Sequence, residues 1–159
     1  MKAKIFAVGN SLYGDDGIGK AVLDKLQSDN HFSEAEFYDA DTDALSLIDR
    51  FSMEGLNIII DAAKMGENPG KICKFTPENV ALKIHWDNLS LHGFGLAETF
   101  EMAKKINMMP KNVIIIGIEP EKIEIGNGLS EIVEKAIPKV IQIVEKEITN
   151  ERKTNDSHH

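Results

Sequence analysis

Cysteine is nearly absent from this sequence: Cys73 stands alone among 159 residues, which rules out an internal disulfide and any CxxC metal pair. Beside Ile72 it reads as a small buried strand residue. Long apolar runs are missing too. The longest, Ile58 to Ile60 and Val113 to Ile116, fall far short of the roughly 20 residues that a membrane-crossing helix needs. The opening stretch Ile5 to Val8 is likewise too brief for the apolar part of a secretory leader. A cytoplasmic protein without membrane insertion is the expectation. Positive charge is also scarce. Eighteen Lys and Arg against 26 Asp and Glu leave a net −8 at pH 7, and the basic residues are scattered rather than gathered in a stripe, which argues against nucleic acid as a partner. What remains is the balance of a folded globular chain, 42% hydrophobic and 28% charged, at about the length of one domain. Residues 1–149 are expected to form that domain, with 150–159 a polar, flexible tail.

Apolar spacing gives the order of elements. Residues 2–8 read as a first strand, and Ile18, Val22 and Leu26 recur at helical spacing after a glycine-rich turn. Phe37 and Tyr38 mark a short second strand ending near Asp39, and Ala44, Leu47, Ile48 and Phe51 one face of a second helix. Leu56 to Ile60 is almost wholly apolar, the pattern of a strand covered on both faces, and it stops at Asp61. Asn68-Pro69-Gly70 signals a tight return into a short fourth strand at 71–75, which is then free to run antiparallel. Leu96, Phe100, Ala103 and Ile106 predict a helix, Val113 to Ile118 a buried fifth strand, and Val133 to Ile148 a long helix kinked at Pro138. This alternation predicts an α/β protein, a three-layer αβα sandwich around an open, mostly parallel five-stranded sheet. Ligands of such sheets bind beyond the carboxyl ends of the strands, where the strand order reverses.

Residues at that edge are acidic. The first loop reads Gly9-Asn10-Ser11-Leu12-Tyr13-Gly14-Asp15-Asp16-Gly17-Ile18-Gly19-Lys20. It imitates a phosphate-binding loop, but Ala21 replaces the magnesium-holding hydroxyl, and two carboxylates near a helix N-terminus would repel phosphate. Nor do the glycines fit a dinucleotide fingerprint, although Asp39 stands where a ribose-binding acid would. Taken singly, Asp15 and Asp16 read as a cap and a first-turn acid, and His92 as a structural histidine. Taken together, Asp16, Asp61 after the third strand and His92 in a loop returning to the same edge form a convergent set. Two carboxylates and an imidazole suit a divalent transition metal and leave positions open for ligands from elsewhere. Other nucleophiles are poorly supported. Ser11 and Ser90 lack a GxSxG elbow, and nothing near Cys73 in sequence would lower its thiol pKa. His31 and His85 read as surface or loop residues, and the terminal His158 and His159 as native or as a tag remnant without a role.

Four segments, in order, resemble the nickel-iron hydrogenase maturation proteases, over nearly the whole chain from Ile5 to about Val144. They are Val8-Gly9-Asn10-Ser11-Leu12 with Gly14-Asp15-Asp16-Gly17-Ile18-Gly19; Ile60-Asp61-Ala62 with Met65 to Gly70; Leu91-His92-Gly93-Phe94-Gly95-Leu96; and Gly117 to Glu121 with Gly128-Leu129-Ser130. The resemblance implies an endopeptidase that removes the C-terminal extension of a hydrogenase large-subunit precursor after nickel insertion. On that resemblance Asp16, Asp61 and His92 are assigned to catalysis and to contact with nickel, which the precursor supplies. Asn10, Asp15 and Asp39 are assigned to substrate binding. Two alternatives stay open: a nickel-dependent chaperone that binds the same precursor without cutting it, and a nucleotide-binding regulatory module. One departure stands out, since the family commonly has glycines after the second strand where this chain has Asp39-Ala40-Asp41-Thr42-Asp43.

Overall fold

The computed structural model describes residues 2–29, 32, 34–80 and 95–157, with side chains through residue 154. Strands β1 (Lys4–Val8), β2 (Glu36–Asp39), β3 (Leu56–Ala62), β4 (Ile72–Phe75) and β5 (Asn112–Ile118) form one sheet in the order β2-β1-β3-β5-β4. The pairs β2/β1, β1/β3 and β3/β5 are parallel, and only β4 runs antiparallel, against β5. The antiparallel fourth strand is therefore present. Its partner is not the preceding strand, because β5 is inserted between β3 and β4.

Alternation along the strands divides the core in two. Ile5 and Ala7 of β1, Ile58 and Ile60 of β3, and Ile116 and Ile118 of β5 pack on one face with helix α1 (Ile18–Ser28) and the long C-terminal helix. Phe6, Val8, Ile59, Val113 and Ile115 pack on the other, against Ala44, Leu47, Phe51 and the Leu96 and Phe100 of helix α2 (Leu96–Lys105). A strand whose successive side chains are all claimed must be apolar throughout, and β3 is such a strand. Phe6 meets Phe51 edge-on at 5.6 Å and anchors the second face.

Two element assignments are corrected. Residues 44–47 form a 3-10 helix rather than an α-helix, and the three-residue step from Ala44 to Leu47 serves either form. The long C-terminal stripe is split into α3 (Glu131–Glu134) and α4 (Ile137–Ser157). Pro138 thus sits in the first turn of α4, where its missing N–H costs nothing, and does not kink a continuous helix. α4 runs on through the polar residues after Asn150 to Ser157. Arg152 of this last stretch lies 3.5 Å from Glu34.

Among the described residues no helix is long and apolar enough to cross a membrane.

Candidate functional site

Strand order reverses at β1. The chain steps from β1 outward to β2 and then returns to lay β3 on the other side, so the carboxyl ends of β1 and β3 flank the crevice where such sheets take ligands. Asp61 lies at that end of β3, paired in register with Val8 and with Gly117, and it is 6% exposed. Asp16 arrives from the loop after β1 at 2% exposure, and its Oδ2 accepts the Asn10 N–H at 2.7 Å.

Glycine makes this approach possible. At Gly9 φ is +142°, and a Cβ there would lie 2.1 Å from the Asp16 carbonyl oxygen and 3.5 Å from its carboxyl carbon. A Cβ on Gly19 would lie 2.6 Å from the Ile60 carbonyl oxygen, so the start of α1 presses directly on β3 one residue before Asp61. The two glycines thus let the loop that carries Asp16 and the helix that follows it close on the ends of β1 and β3. His92, the third member of the set, lies outside the described residues, as do His31, His85, Ser90, His158 and His159. Among the described residues no group of three or more His, Cys, Asp or Glu side chains is placed to hold a metal ion.

Asp15 behaves differently from its neighbour. It is fully buried, Oδ2 accepts the N–H groups of Glu121 (2.8 Å) and Lys122 (2.9 Å) and the Ser130 hydroxyl (2.8 Å), and Oδ1 accepts the Ser130 N–H (2.6 Å). Burial raises its pKa, but the bonds from Lys122, Ser130 and Glu121 together outweigh burial and hold it below the ordinary 3.8. A carboxylate so occupied holds the loop after β5 in position. Glu119 has the matching role in the neighbouring loop. At 7% exposure its Oε1 accepts the Met65 N–H at 2.7 Å and the Glu67 N–H at 3.1 Å, and its carbonyl accepts the Gly70 N–H at 2.8 Å. The motif around Glu119 is visible in sequence, but its reach to the loop after β3 is not, because the two segments meet only through the β3/β5 pairing.

Asn10 shapes the first loop. Its Oδ1 accepts the Leu12 N–H at 3.0 Å and its carbonyl the Tyr13 N–H at 3.0 Å, while its own N–H holds Asp16. Asp39 is exposed at the end of β2, and its Oδ1 accepts the Asp41 N–H at 2.9 Å. Asp41 itself takes φ +54°, and its carbonyl accepts the Gly9 N–H at 2.8 Å. The acidic segment therefore keeps the left-handed turn that glycine would favour, since a short polar side chain tolerates it. Lys20 of the phosphate-loop imitation points along α1 to Asp24, 2.8 Å away, and not into the loop.

Comparison with known proteins bears on the family and the fold. The HycI family model, described as hydrogenase maturation protease, matches residues 21–147. The chain is 27% identical over 146 residues to the hydrogenase 2 maturation protease of Escherichia coli, covering 91% of this chain and 88% of that one. To the hydrogenase expression/formation protein HupD of Thiocapsa roseopersicina it is 25% identical over 143 residues, 87% of this chain but only 64% of that protein's length. The fold is that of the hydrogenase maturating endopeptidase HybD from E. coli, with a TM-score of 0.79 and 24% identity over 94% of this chain and 93% of that one. The chain belongs to the hydrogenase maturation proteases, a family of peptide-bond hydrolases.

Proposed function

We propose that this protein removes the C-terminal extension of a nickel-iron hydrogenase large-subunit precursor once nickel has been inserted, and that it recognises the precursor through that nickel. The observation that carries the reading is the burial of two carboxylates on the adjacent segments that flank the β1/β3 crevice, Asp16 in the loop after β1 and Asp61 at the end of β3, in a fold shared with maturation endopeptidases. His92 is the proposed third contact. Three protein ligands bind a divalent ion incompletely, so tight association would require the precursor to bring the ion with its remaining ligands, and binding would then report completed insertion. Held there, the substrate's nickel supplies Lewis acidity to the scissile carbonyl or to a water. Asp16 or Asp61 takes the water's proton, and that proton passes to the departing amine as the C–N bond breaks. Burial suits both acids to this work, because a water-poor setting strengthens their interaction with a cation.

Mass spectrometry of a large-subunit precursor prepared with and without nickel tests the proposal. Wild-type protein should release one C-terminal peptide from the nickel-loaded form alone, and Asp16→Ala should slow release by about two orders of magnitude or more. Release from nickel-free precursor at the same rate would sink nickel recognition. Binding of the loaded precursor without any release, where a cognate protease cuts the same preparation, would turn the reading to a chaperone.

A further inference from the structure

Leu12 and Ile125 are the most exposed large hydrophobic residues among those described, each with 71% of its surface open. Isolated exposed side chains are ordinary, but these two stand on separate loops that are stitched together, with the Gly126 N–H donating to the Leu12 carbonyl at 3.1 Å. The exposure is built in. Gly126 at φ +94° and Gly128 at φ +61°, with open space where a Cβ would be, turn the chain sharply just after Ile125. The ends of the same loop are fixed from beneath by Asp15, through Glu121, Lys122 and Ser130. A cleft of about 260 Å³ lies beside this surface, lined by Ser11, Gly14, Gly128 and Leu129 together with Lys20, Ala21 and Asp24 of α1, and by neither Leu12 nor Ile125.

This surface is continuous with the candidate site. Leu12 donates its N–H to Asn10 Oδ1, and Asn10 donates its own N–H to Asp16. Glu124, exposed, is the chain neighbour of Ile125, and Glu121 and Lys122, also exposed, precede it on the same loop, in a chain that carries −8. We infer that Leu12 and Ile125 are the docking surface for the precursor, taking an exposed apolar segment of it with a basic residue beside that segment. The inference rests on the precursor being the substrate. An apolar pair at the centre supplies affinity by excluding water, and Glu124 beside it supplies orientation and encounter rate.

The test measures binding of intact, nickel-loaded precursor by biolayer interferometry, with no cleavage readout, for wild type, Leu12→Ser/Ile125→Ser and Leu12→Met/Ile125→Val. The serine pair should weaken Kd about 10-fold or more through faster dissociation, with an unchanged melting temperature, and the conservative pair should stay within about 2-fold of wild type. Glu124→Lys should slow association at low salt and converge on wild type at high salt. A serine pair that binds as wild type does overturns the inference, whether or not the peptide is released. So does a wild type that never binds precursor, or sedimentation showing that Leu12 and Ile125 join two copies of this chain. Tight binding without release would sink the cleavage reading and leave the docking surface standing.

Discussion

Asp15 and Asp16 carry the same carboxylate one residue apart, and the backbone turns them to opposite work. Asp15 faces a ring of donors on another loop, whereas Asp16 sits at the strand ends, where its Oδ2 accepts the Asn10 N–H. Asp15→Ala would leave the donors of residues 121, 122 and 130 without their acceptor, and should cost about 2–3 kcal/mol in urea unfolding. The acid limb of stability should reflect the same residue. Folding lowers its pKa, so near the ordinary 3.8 the unfolded chain binds more protons and stability rises with pH there. That contribution is complete above 3.8 and is lost as pH falls through the lowered folded value. Asp15→Asn should flatten this region of a stability–pH curve. Asp41 makes a second residue-scale case. Because it already occupies φ +54°, Asp41→Gly should be within about 1 kcal/mol of wild type, while the β-branched Asp41→Val should lose about 1–2 kcal/mol by the same assay.

At the scale of elements, the close seat of α1 on β3 governs the crevice. A side chain at Gly19 would drive into the Ile60 carbonyl and the Ala7 Cβ, and must lift the helix start that follows Asp16. Gly19→Val should therefore lower the melting temperature by several degrees and depress precursor binding together, a pairing that circular dichroism and interferometry can follow. Pro138 predicts the reverse sort of result. Sitting in the first turn of α4, it should be replaceable by Ala with a change of under about 1 kcal/mol, where a kinking proline in mid-helix would have shown a larger gain.

At the scale of the molecule, strands were the more legible elements, because β1, β3 and β5 announce themselves by apolar runs that two covered faces demand. Their order was not legible: nothing in residues 62–75 says that β5 will slip between β3 and β4. Both acids of the candidate site could be read from position, Asp16 in the loop after β1 and Asp61 near the end of β3, although β3 runs one residue past Asp61 instead of stopping there. The partners of Asp15 and Glu119 could not, because hydrogen bonds between segments as distant as 15 and 130 exist only once the sheet has formed. Apolar spacing misled most where one pattern serves two structures, as at Ala44 to Leu47 and across Pro138.

The two buried acids join three loops in series: residues 9–17 to 119–130 through Asp15, and 119–130 to 63–70 through Glu119. In energetic terms this makes the functional edge one cooperative opening unit, since freeing any loop leaves a buried carboxylate without its donors. Native-state hydrogen exchange should then find the amides of Met65, Glu67, Glu121, Lys122 and Ser130 sharing a single opening free energy. A loop that clasps a precursor at Ile125 would on the same grounds slow exchange at Met65, on a segment the precursor need never touch.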